Sequence, residues 1–269
     1  MKICIIGHSK RLSVLEKNLK NRGLSVDIIN SAEELDKEIK HDVVVLPVPS
    51  VNKLGFANLE GDITIESLLE NINLNSLIIS CGYTNPDYKI IDLNEREDFA
   101  YLNVVPTAEG AIFVALSNSE LSLFESKILI TGFGRVAKLL ADRLRCLCKK
   151  VTVSARSAKD LAFAEALSYN ALPISSLKNH ISEYDIIFQT VPVRLLIGEI
   201  IDNMTKNSII IELSSKSLGT DHIYAESKGI NVVHAPALPE KISPVSAGNI
   251  LTKSVLSIIS EQKGSVYSE

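Results

Sequence analysis

Six residues near the middle of this 269-residue chain have the types and spacing that hold a nucleotide phosphate. Gly132-Phe133-Gly134-Arg135-Val136-Ala137 has the form G-x-G-x-x-A. The first glycine permits a tight turn and the second lets the backbone approach a pyrophosphate. The small third residue lets a helix pack closely on a strand. Before the hexapeptide, "KILI" reads as a strand; after it, Leu139, Leu140 and Leu144 fall at helical spacing. A helix that starts here offers unpaired N–H groups and a positive dipole end to an anion. The alternative is a glycine turn kept only for helix–sheet packing. Strand and helix on either side favour nucleotide binding.

The end of the next strand bears on which nucleotide. A free ribose 2′-hydroxyl calls for an acid about 20 residues after the first glycine. This chain has Ser154-Ala155-Arg156-Ser157 there, and no acid until Asp160. A serine hydroxyl and an arginine fork suit a 2′-phosphate, so NADP is expected over NAD. Arg156 as a solvated surface charge is the other reading. Further on, Thr190-Val191-Pro192 closes another apolar run and is expected to lie along the cofactor toward the nicotinamide. Pro192 breaks the strand and has no N–H to leave unpaired. The cofactor-binding candidates are therefore Gly132, Gly134, Arg135, Val136, Ser154, Ala155, Arg156, Ser157, Thr190, Val191 and Pro192.

Two rounds of strand–helix alternation must position these residues. "KICIIG", "SVDIIN", "DVVVLP", "SLIIS" and "KIIDL" read as strands of a first parallel sheet; Ser31 and Glu34 form a capping-box helix start. "KILITG", "KVTVSAR", "DIIFQTVP", "SIIIELSS" and "INVVHAP" read as a second set. The fold class expected is α/β: two doubly wound parallel-sheet domains, flavodoxin-like then Rossmann, with a cleft between them. Residues 1–105 would be a substrate or partner domain, 106–120 a bridging helix and 121–243 the NADP-binding domain. In the bridge, Thr107 is the expected cap and Glu109 lies in the first turn. A last helix over 244–262 is expected to pack back on the first domain.

Composition excludes other classes. With 46% hydrophobic and 22% charged residues the chain is not disordered. Net charge −4, a pI near 5.8 and no basic block argue against nucleic acid. Apolar runs such as "DIIF" and "SIIIEL" are of strand length, so no membrane span is expected, and the first residues resemble a signal peptide only superficially. Cys4, Cys81, Cys146 and Cys148 lack metal-ligand spacing and read as reduced thiols of a cytoplasmic protein; no metal is expected.

Motifs spread over the whole chain carry a resemblance. "PTAEGAI", "GFGR", "SARS", "QTVP" and "APALPEKISPVSAGNIL" together resemble the A subunit of dipicolinate synthase. That resemblance implies an NADP-dependent oxidoreductase in the cytoplasm of the mother cell of a sporulating bacterium. The implied reaction belongs to a branch of the lysine pathway: 4-hydroxy-tetrahydrodipicolinate loses water and two reducing equivalents to give pyridine-2,6-dicarboxylate. It also implies an oligomer and, as partner, a flavoprotein-like B subunit. The chain departs from the pattern at Glu212-Leu213-Ser214-Ser215-Lys216-Ser217-Leu218, where the family has Asp and a P-G-G-like turn. It departs again at Glu240, where the family has glycine, and in "GHSKR", which keeps Gly7 and Arg11 of a G-G-D-x-R-like turn.

A dianionic substrate needs cations and a few polar groups. The candidates are Lys241 in a loop after a strand, Arg11 at the first helix start, and Ser80 and Thr107 as hydrogen-bonding groups. Glu109 and His234 are the acid–base candidates, a histidine being able to take the proton released as hydride leaves. With Lys241 they make up the catalytic set. Each has a plain structural alternative: a solvated lysine, a helix-start carboxylate, a satisfied core histidine. Two other functions share this architecture, a 2-hydroxy-acid dehydrogenase and a non-catalytic, regulatory NADP sensor. Against the former, "SSKSLGTD" lacks the arginine that such enzymes carry after this strand.

Overall fold

The computed structural model describes residues 1–35, 38–214, 219–262 and Gly264. In chain order the elements are β1 (Lys2–Ile6), α1 (Lys10–Lys20), β2 (Ser25–Ile29), β3 (Val43–Val45), α2 (Ile65–Glu70), β4 (Leu77–Ser80), β5 (Ile90–Asp92) and α3 (Glu97–Asn118). They continue with β6 (Ile128–Thr131), α4 (Arg135–Leu144), β7 (Val151–Ala155), α5 (Ala158–Ala166), β8 (Asn170–Pro173), α6 (Leu177–His180) and β9 (Ile186–Gln189). Last come α7 (Glu199–Asp202), β10 (Ile209–Glu212), α8 (His222–Ser227), β11 (Asn231–His234), α9 (Leu238–Ile242) and α10 (Pro244–Gln262). Two compact units result: Met1–Asn103 with Ser243–Glu269, and Val104–Ile242.

Unit 1 holds a parallel sheet in the order β2-β1-β3-β4-β5, the flavodoxin-like order. Its inner strands β1, β3 and β4 are apolar on both faces because both are covered. On one face Ile3, Ile5, Val45 and Ile79 meet Leu12, Leu15 and Leu19 of α1 and Leu251, Val255 and Ile258 of α10. On the other, Cys4, Ile6, Val44 and Ile78 meet Ile65, Leu68 and Leu69 of α2. Each such buried aliphatic chain contributes about 1.5–3 kcal/mol. Where α10 crosses α1, a Cβ on Gly248 would lie 2.5 Å from Val14 Cβ and 2.8 Å from the Arg11 carbonyl oxygen, so the two backbones nearly touch.

Unit 2 holds a six-stranded parallel sheet in the order β11-β10-β9-β6-β7-β8, two mononucleotide-binding halves meeting at β9 and β6. Ile128, Ile130, Val153, Phe188 and Ile211 pack against Ala137, Leu140 and Leu144 of α4. Leu129, Ile187 and Ile210 face Leu177, Ile181, Leu196 and Ile201. The expected two-sheet α/β architecture is thus present.

Four local expectations are corrected. The bridging helix starts at Glu97, not near Pro106, and Pro106 sits inside it. An interior proline costs roughly 3 kcal/mol. Here Glu97 and Asp98 suit the dipole of the first turn, Phe99 is buried in the core of unit 1, and Val104, Ala108, Ala111 and Ala115 are buried along one side of the helix. Consequently Thr107 is no cap and Glu109 is not in a first turn. The start signalled by Ser31 and Glu34 yields one 3-10 turn, Ala32–Leu35, with the Glu34 carboxylate accepting from the Asn30 N–H at 2.9 Å; residues 36–37 lie outside the described residues. A sixth strand, β8, passes unseen in the sequence: "NALP" is a half-exposed edge strand that ends in proline, where the missing N–H costs no ladder bond.

The fourth concerns α3, which by length and mean hydropathy (1.5 over its best window) could cross a bilayer, against the expectation that no apolar run approaches that length. Its alanine side belongs to the core of unit 2, and a carboxylate, Glu109, sits in its middle, where hydrocarbon would penalise it.

Candidate functional site

All strands of unit 2 run parallel, so the segments after β6, β7, β9, β10 and β11 leave at one edge. In open α/β sheets ligands bind at this carboxyl edge, where the strand order reverses. Here that point lies between β6 and β9. The glycine turn follows the first and Thr190-Val191-Pro192 the second.

Gly132 has φ +84°, a backbone state that favours glycine. A Cβ there would sit 2.6 Å from Val191 Cγ1 and 3.0 Å from Thr190 Oγ1. The two turns therefore lie against each other. Thr190 Oγ1 donates to the Thr131 carbonyl at 2.6 Å, and the Gly132 N–H donates to the Ser154 carbonyl at 2.7 Å. Between the glycines Phe133 turns inward, 4% exposed, and packs edge-on against Phe163 and Tyr169 at 5.9 and 6.2 Å between centroids. This anchor was not read from the sequence. Its signal would have been an aromatic residue between two glycines that must be held still.

Gly134 is the N-cap of α4. It makes no side-chain cap bond, α4 has no acid in its first turn, and open space lies where a Cβ would project. The leading N–H groups are thus not occupied by a capping side chain, and backbone can approach a phosphate without obstruction. Arg135 opens α4 and is exposed; Val136 is half-buried. The residues present fit a dinucleotide pyrophosphate.

At the end of β7, Ser154 and Ala155 are buried, and the Ser154 hydroxyl has no partner. Arg156 and Ser157 are exposed. Ser157 caps α5: its hydroxyl accepts from the Asp160 N–H at 3.0 Å and donates to the Asp160 carboxylate at 2.8 Å. In this structure that proton is engaged within the chain. The eleven cofactor candidates lie at or just after the carboxyl ends of three neighbouring strands, β9, β6 and β7.

The substrate candidates are more scattered. In unit 1, Arg11 is buried on α1, and Ser80 ends β4 fully buried, its hydroxyl donating to the Tyr83 carbonyl. That bond ties the end of β4 to the turn that follows it. In unit 2, Thr107 is half-buried and Glu109 exposed, both well inside α3. Lys241 is exposed on the short helix α9, not in a loop. α9 meets α3 at Gly110, where a Cβ would lie 3.0 Å from Leu238 Cβ, so Glu109 and Lys241 ride on touching helices. His234 ends the edge strand β11, exposed, with its ring edge-on to His222 at 5.9 Å. His222 Nε2 is buried and has no partner.

At the end of β10, Glu212 is fully buried. Its carboxylate accepts from the Ser214 N–H at 3.2 Å, the Ser214 hydroxyl at 2.5 Å and the Gly219 N–H at 3.1 Å. The middle of the divergent turn, residues 215–218, lies outside the described residues. Among the described residues no cluster of His, Cys, Asp and Glu could hold a metal. An open concavity of about 440 Å³ lies elsewhere, in unit 1, lined by His8, Asn30, Asn52, Phe56, Glu60 and Asp62 among others. None of the candidates lines it, and its two carboxylates suit an anionic ligand poorly.

The fold and the glycine turn define an α/β protein of two parallel-sheet units, the second of which has a Rossmann strand order and a turn with room for a dinucleotide phosphate. Residues 114–208 match the shikimate/quinate 5-dehydrogenase family model. By sequence and by structure the chain is similar to the A subunit of dipicolinate synthase, in keeping with its motifs. It is 33% identical to that protein of Bacillus subtilis (strain 168) over 173 residues, 64% of the chain, and spans 58% of the length of that curated relative. It superposes on the crystal structure of the Bacillus halodurans counterpart with TM-score 0.86 and 25% identity, covering 96% of this chain and 97% of that one. A D-isomer-specific 2-hydroxyacid dehydrogenase from Lactobacillus delbrueckii ssp. bulgaricus, in its NAD-complexed form, shares the fold alone, at TM-score 0.60 and 11% identity over the full length of both chains.

Proposed function

We propose that the chain is the oxidoreductase (A-type) component of a dipicolinate synthase and uses NADP. In this reading 4-hydroxy-tetrahydrodipicolinate loses water, and a hydride then passes to NADP⁺ with release of one proton, leaving the aromatic pyridine-2,6-dicarboxylate. The nucleotide supplies the hydride acceptor. The chain's own residues orient the ring, exclude water and take the proton.

The observation that carries the reading is a likeness to the B. halodurans protein over almost the whole chain, joined to a glycine turn that leaves room for a pyrophosphate. NADP is favoured by the lack of a carboxylate in Ser154–Ser157 and by the exposed Arg156 guanidinium, which would meet a 2′-phosphate. His234, exposed at a strand end, is our candidate proton acceptor, and Lys241 our candidate partner for a substrate carboxylate. By likeness to the relatives, the chain works with a B-type partner in the cytoplasm of a cell forming endospores.

The test supplies freshly generated 4-hydroxy-tetrahydrodipicolinate and NADP⁺ to the chain alone, then with a B-type partner. NADPH absorbance and the ultraviolet signature of the pyridine diacid are followed together. Both signals rising in step, in either mixture, are the expected result. Nucleotide binding with neither signal would leave a regulatory sensor or another dehydrogenase.

A further inference from the structure

Residues at the carboxyl ends of five strands in unit 2 stand in one register across the sheet: His234, Glu212, Gln189 and Thr131, each the last of its strand, and Ser154, the last but one of β7. Four of the five are fully buried, and three of these, Thr131, Gln189 and Glu212, close strands that are otherwise apolar. Such a row has no packing rationale, and buried polar groups call for explanation. Its centre is Gln189. Its Oε1 accepts from the Thr131 hydroxyl and, at 3.4 Å, from the Val191 N–H. Thr131 in turn takes the Thr190 N–H at 3.3 Å. One end of the Gln189 amide therefore holds the Thr190-Val191 turn that lies against Gly132.

The other end abuts Gly219. A Cβ on Gly219 would fall 2.6 Å from Gln189 Cδ and closer still to Nε2. Nε2 itself is buried and has no hydrogen-bond partner. Gly219 cannot retreat. Its N–H is held by Glu212 at 3.1 Å, and its carbonyl accepts from Leu195 and Leu196 at 2.8 and 2.9 Å. The contact is rigid on both sides.

We propose that Gln189 and Gly219 are positioning residues for the nucleotide: the glycine leaves the space that seats the Gln189 amide, and the seated amide holds Thr190-Val191 against the phosphate-binding turn. This rests on the reading that unit 2 binds a nicotinamide nucleotide at Gly132–Ala137. Neither residue needs to touch the nucleotide. The smallest side chain at 219 pushes the amide off its acceptor position and shifts a turn that follows another strand.

The experiment is a double-mutant cycle on the full chain, with NADPH as probe and the dissociation constant read by its fluorescence well below the unfolding temperature. Wild type must bind and Gly134→Ala must bind far more weakly, by at least about a hundredfold; failure there sinks the nucleotide reading itself. Given binding, Gly219→Ala is expected to weaken it about tenfold, within the range of mutations along a coupled network. Gln189→Ala is expected to weaken it similarly. The double variant should bind no worse than Gln189→Ala, because the group that the new methyl displaces is gone. Undiminished binding by Gly219→Ala, or losses that multiply in the double variant, would overturn the inference. If Gly219→Ala does not fold, the comparison of Gln189→Ala with the double variant still decides: a tenfold further loss there refutes the coupling.

Discussion

The two glycines of the phosphate turn should fail in different ways when each becomes alanine. At Gly132 the backbone sits at φ +84°, where an alanine costs roughly 1–2 kcal/mol. Its Cβ also meets Val191 Cγ1 at 2.6 Å and Thr190 Oγ1 at 3.0 Å. Val191 is β-branched and stiff at χ1, and Thr190 is tied to the Thr131 carbonyl, so neither yields freely. Overpacking of this kind adds about 1–3 kcal/mol. The total, roughly 2–5 kcal/mol, should appear as a lower denaturation midpoint together with weaker nucleotide binding. At Gly134 the backbone is extended (φ −76°, ψ −171°) and nothing lies within 4 Å of a Cβ. Alanine there costs the fold only the poorer N-cap, about 1 kcal/mol. The methyl nevertheless projects where the pyrophosphate must approach, so affinity should fall at least about a hundredfold, about 2.8 kcal/mol. Urea unfolding and NADPH titration on both variants make the comparison. Gly134→Ala with unchanged affinity would refute the reasoning, because the backbone at Gly134 would then not face the phosphate.

Two further outcomes concern unit 1. Gly248→Ala gains about 1 kcal/mol of helix propensity, yet its Cβ would lie 2.5 Å from Val14 Cβ and 2.8 Å from a backbone oxygen. The clash should win, and thermal unfolding should shift downward. Arg96 clasps Asp98 at 2.9 Å and Glu261 at 2.7 Å, and both carboxyls are held below their ordinary range chiefly by their hydrogen bonds to it. A depressed carboxyl contributes stability above its unfolded-state pKa and loses it as pH falls through the folded one. The urea midpoints of wild type and Arg96→Met should therefore differ near neutrality and converge below the ordinary carboxylate range. A constant gap across that range would contradict the clasp. These groups are largely exposed, so the difference should be small.

The sequence made some parts of this molecule legible and hid others for physical reasons. The glycine turn was legible because its logic is local: six contiguous residues, a strand before and a helix after. The C-terminal helix was legible because Pro244 opens it and its apolar spacing is regular. The start of α3 was hidden because tertiary burial of Phe99 and Val104 outweighs the signal of an interior proline. Lys241 was misplaced because α9 is a single short helix that packs Leu238 against Gly110, a contact far apart in sequence. Glu212, Gln189 and Gly219 were missed as a group, since their meeting depends on the register of β10 with β9. A signal did exist: "IIFQ" and "IIIE" are apolar strands that each close on a polar residue.

The most direct test of the account is equilibrium titration of the full chain with NADPH and with NADH, followed by nucleotide fluorescence. The chain has no tryptophan, so the nucleotide signal can be read without energy transfer from an indole. The account predicts saturable one-to-one binding, tighter for NADPH, with the preference lost in Arg156→Ala. Absence of saturable binding by either nucleotide would contradict it.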